Sequence, residues 1–202
     1  MASSKTVICN MALSHLGISQ EIANFDSERS KEASAMRRFY DETRKEVLRD
    51  FPWPFATKTV DLGLIEESPT DEWDFSYRYP SDCLRARRIP SGIRNDTRQS
   101  RVPYRVLQDN SGKLIYTDTE DAQLEYTVNE ERVEMFPPDF VLALSLLLAA
   151  YTAPRLTGGD PFKLGNRALQ LYDIQRNKAE ANAVNEESDE EQPDSELERA
   201  RL

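Results

Sequence analysis

The chain predicts an α+β fold: an antiparallel bundle of four helices interrupted by a small antiparallel β-sheet insertion, with an extended acidic C-terminal tail. Three observations carry that expectation. Apolar residues recur at helical spacing in the first and last thirds of the chain, give way to strand-like alternation between Ala56 and Val133, and thin out beyond Ala181. The predicted units are residues 1–55 (two bundle helices), 56–135 (the β insertion), 136–181 (two further helices) and 182–202 (the tail).

The first helix runs over Thr6 to Leu16, where Ile8, Ala12 and Leu16 recur at one-turn intervals beside Met11 and Leu13, and Gly17 marks its stop. Asp26 and Ser27 offer capping side chains ahead of a second helix. There Ala33, Met36, Tyr40, Thr43 and Val47 form an apolar stripe opposite Arg37, Arg38, Glu42, Lys45, Glu46 and Arg49. Pro52 and Pro54 end it, because neither has an N–H to give to a helix.

Alternation then appears in residues 57–62, 104–107, 113–117 and 122–128, separated by the turn signals Asp109-Asn-Ser-Gly112 and Asp118-Thr-Glu-Asp121. This predicts one sheet of short strands joined by hairpins. Pro137-Pro138-Asp139 opens a third helix reaching about Thr152, stopped by Pro154 and apolar on nearly every side. Its apolar run from Phe140 to Tyr151 falls short of the roughly 20 residues that cross a bilayer, which fits a buried core helix. In the fourth helix Leu164, Ala168, Leu171 and Ile174 mark the buried stripe, flanked by Tyr172. The acidic residues after Ala181 are expected to stay disordered until bound, with Leu197 and Leu202 as the late large apolar side chains.

Composition narrows the function classes. At 202 residues, 39% hydrophobic and 31% charged, the chain has length for a real core but a modest supply of apolar residues, so oligomerisation is one way to complete that core. A formal charge of −10 disfavours a general phosphate-binding protein and suits a surface past which DNA slides. Cys9 and Cys83 lack a paired-thiol spacing and read as buried thiols of a reduced cytosolic origin, and the N-terminus lacks the features of a signal peptide.

Catalytic candidates are few. His15 is the lone histidine, at a helix end beside Gly17, and reads as a cap or half-buried surface residue. Gly158-Gly159 is followed by Asp160 and Pro161 and fails as a phosphate loop. No ligand spacing for zinc or calcium occurs, so no catalytic residue, metal or cofactor is expected. The acids Glu66-Glu67 and Glu130-Glu131 read as solvated.

Two clusters remain. Trp53, Phe55, Trp73, Phe75, Tyr77 and Tyr79 gather where the second helix hands over to the sheet. They read as packing between bundle and sheet or as a subunit interface, rather than as a stacking platform for bases or sugars. Arg85, Arg87, Arg88, Arg94, Arg98, Arg101 and Arg105 fall in one stretch with a single acid, Asp96. That stretch fits DNA phosphates, a neighbouring subunit's acids, or a solvated loop.

The string Ala12-Leu-Ser-His-Leu-Gly17, the helix end Val47-Leu-Arg-Asp-Phe-Pro-Trp-Pro-Phe-Ala56 and the segment Trp73-Asp-Phe-Ser-Tyr-Arg-Tyr-Pro-Ser-Asp-Cys-Leu84 follow one another in an order that resembles the tail tubular protein A family, the head-to-tail adaptors of short-tailed bacteriophages. The later helices and acidic tail match in type and order only. The resemblance implies a virion protein, assembled in the host cytoplasm, that forms a twelvefold ring beneath the portal protein. It also implies a channel for genomic double-stranded DNA and a platform for the tail nozzle protein. On that reading Tyr172, Ile174, Leu197 and Leu202 are expected to contact the portal, and the arginine stretch lines the channel or a subunit boundary. The alternative is a nucleic-acid-binding packaging or regulatory factor working through Arg85–Arg105.

Overall fold

A computed structural model describes residues 4–93, 100–158 and 160–186. Helix α1 spans Lys5–His15, with the Ser4 hydroxyl accepting from the Val7 N–H at 3.2 Å. Its end is closed by two bonds, from the Ile18 N–H to the Leu13 carbonyl and from the Gly17 N–H to the Ser14 carbonyl, both 3.0 Å. That closure needs a left-handed residue, and Gly17 supplies it at φ 71°. Helix α2 spans Lys31–Asp50, capped by Ser30, and buries Ala33, Met36, Tyr40, Thr43 and Val47 on the expected face.

Helix α3, Pro138–Leu156, is long and apolar enough to cross a bilayer, but it is buried against α1, α2 and a fourth helix, α4, Pro161–Glu186. Two helix ends differ from the sequence expectation. α3 continues past Pro154, whose missing N–H leaves the Ala150 carbonyl without its helical donor. α4 passes over that same carbonyl: a β-carbon added at Gly165 would lie 3.3 Å from the Ala150 oxygen and 3.5 Å from the Ala153 methyl. α4 also extends to Glu186, past the predicted bundle limit at 181.

The β region corrects the predicted fold class. In place of one small inserted sheet there are seven strands in two antiparallel sheets. The strands are β1 Thr57–Asp61, β2 Leu64–Thr70, β3 Trp73–Arg78, β4 Cys83–Arg88, β5 Tyr104–Asp109, β6 Gly112–Thr117 and β7 Gln123–Val128. One sheet has the order β1-β7-β4 and the other β2-β3-β6-β5. The single-sheet expectation failed for two physical reasons. β2 is exposed almost throughout, and β4 carries Arg85, Arg87 and Arg88, so neither shows the alternation of a half-buried strand. The last strand also pairs with the first, Thr57 opposite Thr127 through Asp61 opposite Gln123, and with β4, instead of with its chain neighbour β6.

Each part has its own core. Ile8, Leu13, Met36, Tyr40, Phe140 and Leu144 belong to the bundle cluster, while Tyr77, Ile89, Ile115, Leu124 and Tyr126 belong to the sheet cluster. Val128, at the end of β7, packs against both.

Candidate functional site at the joint between bundle and sheets

The two cores meet through arginines. Arg87 of β4 donates from Nε to the Thr127 hydroxyl at 2.8 Å. Its Nη2 donates to the carbonyls of Leu48, Arg49 and Phe51 at 3.3, 3.0 and 2.9 Å. Arg85 adds a bond from Nη1 to the Arg49 carbonyl at 2.9 Å. The last carbonyls of a helix have no intrahelical donor and carry the negative end of its dipole, so a guanidinium from the sheet satisfies them and their charge together. Burial, then the neighbouring Arg85, lowers the Arg87 pKa from its ordinary value.

Arg44 works in the opposite direction. It is 2% exposed on α2 and donates to the Asn129 side-chain oxygen at 3.0 Å and to the Glu130 carbonyl, just past β7. The buried Glu130 carboxylate accepts from the Arg132 N–H, Nε and Nη2 at 2.9, 2.9 and 2.7 Å. Those bonds hold its pKa at about 2. Arg44 has a sequence signal that was missed: it falls four residues after Tyr40 and three before Val47, on the buried stripe.

An aromatic knot closes this end of the bundle. Trp53 stands edge-on to Phe51 and to Phe140, each at 5.1 Å between ring centres, and Phe55 meets Phe140 at 5.0 Å. The Trp53 Nε1–H donates to the Val47 carbonyl at 2.8 Å. The ring therefore sits inside the bundle end, and it reaches the sheet through its own carbonyl, which accepts from the Thr57 hydroxyl at 2.9 Å.

The structure separates the other predicted aromatics from this knot. Trp73 opens β3 beside Thr70, Glu72, Arg105 and Tyr116. Tyr77 is buried in the sheet core and donates to the Thr119 carbonyl at 2.9 Å. Tyr79 is half-buried with the Lys113 ammonium 5.3 Å from its ring centre. These six rings do not form one surface.

The arginine stretch also divides. Arg85 and Arg87 are bound to α2, Arg88 pairs with Glu125 at 2.8 Å, and Arg105 lies 3.9 Å from Glu72. Arg101 is exposed, and Arg94 and Arg98 lie outside the described residues. Of the expected portal contacts, Ile174 is 52% exposed, whereas Tyr172 is 3% exposed and donates to the Asp50 carboxylate at 2.6 Å. Tyr172 therefore fastens α4 to the end of α2 and is not a surface contact. Leu197 and Leu202 lie outside the described residues.

His15 is half-buried, its Nε2 3.1 Å from the Ser145 hydroxyl, and burial lowers its pKa. The Ser145 hydroxyl is also 2.8 Å from the Leu142 carbonyl, to which it donates. Burial likewise pushes the Cys9 thiol up to about 12, which makes it a poor nucleophile. Among the described residues no group of three or more His, Cys, Asp or Glu side chains is placed to hold a metal ion. No protein-family model matches the chain, and a search of curated protein sequences finds no match.

Proposed function

We propose that the chain is a head-to-tail adaptor of a short-tailed bacteriophage, a ring subunit that docks beneath the portal, extends the DNA channel and carries the tail nozzle. The observation that carries this reading is the joint. A helical unit and a β unit with separate cores are joined by Arg87, Arg85 and Arg44, through directional bonds to backbone carbonyls. A connector subunit needs such a build, because one end has to match the portal and the other the nozzle while the angle between them stays constant around the ring. Two of the segments that resemble tail tubular protein A end at the joint: residues 47–56 run from α2 into the knot, and residues 73–84 run through β3 into β4.

Further support comes from α4, which leaves Phe162, Leu169, Leu171 and Ile174 exposed. Apolar side chains at that density on one helix suit contact with a neighbouring subunit. The competing reading, a nucleic-acid-binding factor working through Arg85–Arg105, is weakened because Arg85, Arg87 and Arg88 already hold partners within the chain.

The test is electron microscopy of the chain mixed with the portal protein of its own virus. A ring of adaptor density closing below the portal is the expected result. A chain that ignores the portal but binds duplex DNA, with affinity falling steeply as salt rises, would favour the nucleic-acid reading instead.

A further inference from the structure

Among the described residues, the sheet β2-β3-β6-β5 is bounded by β2 on one side and β5 on the other. We infer that β2 of one copy of the chain pairs with β5 of the next, Glu66 opposite Arg105, so that the sheets run on from subunit to subunit. Closure of a ring through this contact rests on the adaptor reading; the strand pairing itself does not.

Direction comes first. The three ladders of this sheet are all antiparallel, so its two edge strands run in opposite directions. Neighbours in a cyclic ring stand the same way up, and they therefore bring β2 and β5 together antiparallel. Each edge strand turns backbone N–H and C=O groups away from its sheet, and a facing strand satisfies them.

Register follows from the faces, because residues opposite each other in a ladder share one. Leu64 stands opposite Tyr77, Tyr77 opposite Ile115 and Ile115 opposite Val106, so Leu64 and Val106 lie on the core face. Glu66, Ser76, Tyr116 and Arg105 form the corresponding row on the other face. Ile65 is the extra residue of a bulge between the two rows. One alignment sets Leu64 against Val106 and Glu66 against Arg105 together. A slide of two residues would set Leu64 against Gln108 and Glu66 against Leu107, a mismatch at both. Past Glu67, Ser68 at φ 51° and Pro69 interrupt the strand, which confines the pairing to residues 64–67.

The exposed chemistry of the two edges is complementary. Leu64 and Val106 are 51% and 40% exposed, and the junction covers both. Glu66 and Glu67 are exposed on β2. Arg105 lies 3.9 Å from Glu72, both side chains largely in solvent, a contact weak enough to exchange for Glu66. Pairing β2 with β2 over the same window would set Glu66 or Glu67 against its own copy, carboxylate to carboxylate.

Cysteine trapping of the chain alone, with no portal present, tests the contact separately from the adaptor reading. Facing residues of an antiparallel ladder lie about 4.5–5.5 Å apart at Cα, within disulfide reach. Glu66→Cys and Arg105→Cys chains are mixed at high protein concentration and oxidised with diamide. Peptide mapping should find the 66–105 disulfide in about tenfold excess over 66–66 and 105–105, as a specific contact outcompetes collision. Gln108→Cys in place of Arg105→Cys should lose that excess, being roughly 10 Å further along the strand. All three substitutions fall on exposed side chains, and circular dichroism of each variant should match the native chain. Bonds in the proportions of random collision, an excess of either like pair, or no bond at all overturn the inference. A ring beneath the portal whose subunits fail to give the 66–105 bond also overturns it, and leaves the adaptor reading in place. A 66–105 bond in a chain that ignores the portal would keep the strand pairing and remove the adaptor reading.

Discussion

Gly165 of α4 lies against the Ala150 carbonyl of α3, at the turn where Pro154 has removed that oxygen's helical donor. A single methyl in place of the Gly165 hydrogen would reach 3.3 Å from the oxygen, closer than most such contacts. Gly165→Ala combines a gain in helix propensity with a small displacement and is expected to change stability by less than about 1 kcal/mol. Gly165→Val adds a branch that has to separate the helices, with a loss of about 1–3 kcal/mol. Urea unfolding of the two variants distinguishes them. A valine variant as stable as the native chain would show that α3 and α4 part easily here.

Replacing Arg87 tests the joint directly. Arg87→Met leaves three carbonyls at the end of α2 short of a donor, with an expected loss of about 2–3 kcal/mol. Arg87→Lys should recover only part of it, because a compact ammonium lacks the planar fork that reaches several oxygens at once. Amide exchange around residues 49–60 reports whether the joint opens before either core does.

Trp53→Ala should cost about 3–5 kcal/mol, since it empties the centre of the knot against Phe51 and Phe140. Trp53→Phe keeps much of the volume but strands the Val47 carbonyl, for a loss of about 1–2 kcal/mol. Thermal unfolding ranks the two. An alanine variant of unchanged stability would put the ring outside the core.

Acid should loosen the end of β7. The Glu130 pKa falls from 4.5 to about 2 on folding, so its contribution is complete above 4.5 and disappears as pH drops toward 2. Arg132 is 64% exposed and its pull is screened, which limits the term to about 1–2 kcal/mol. Glu130→Gln is expected to lose that amount at neutral pH and to flatten the stability profile between pH 4.5 and 2. An unchanged acid limb in the variant would assign acid sensitivity to other carboxylates.

The helices were legible because their signals are local: Ile8 and Ala12, or Met36 and Tyr40, announce a buried face by spacing alone. β2 and β4 were not, since an exposed edge and an arginine-rich strand lack the alternation by which a half-buried strand is recognised. The aromatic positions of the joint were legible by type, yet the partners were not. Nothing near Arg87 in the sequence points to Leu48 or Phe51, because the pairing depends on where α2 ends relative to β4. Tyr172 misled for the same reason, its partner Asp50 being distant along the chain.

The pairing of β1 with β7 has a kinetic consequence. The two halves of the bundle are separated by everything from Phe51 to Pro137, so α3 meets α2 only after a long loop closes. Once Thr57 faces Thr127, that loop shrinks to the short connections on either side of the clasp. With loop entropy growing as the logarithm of length, the shortening lowers the closure cost by about 1.5 kcal/mol. The strands thus serve the helices as a splint, and a chain that mispairs β7 would leave α2 and α3 searching for each other across the full span.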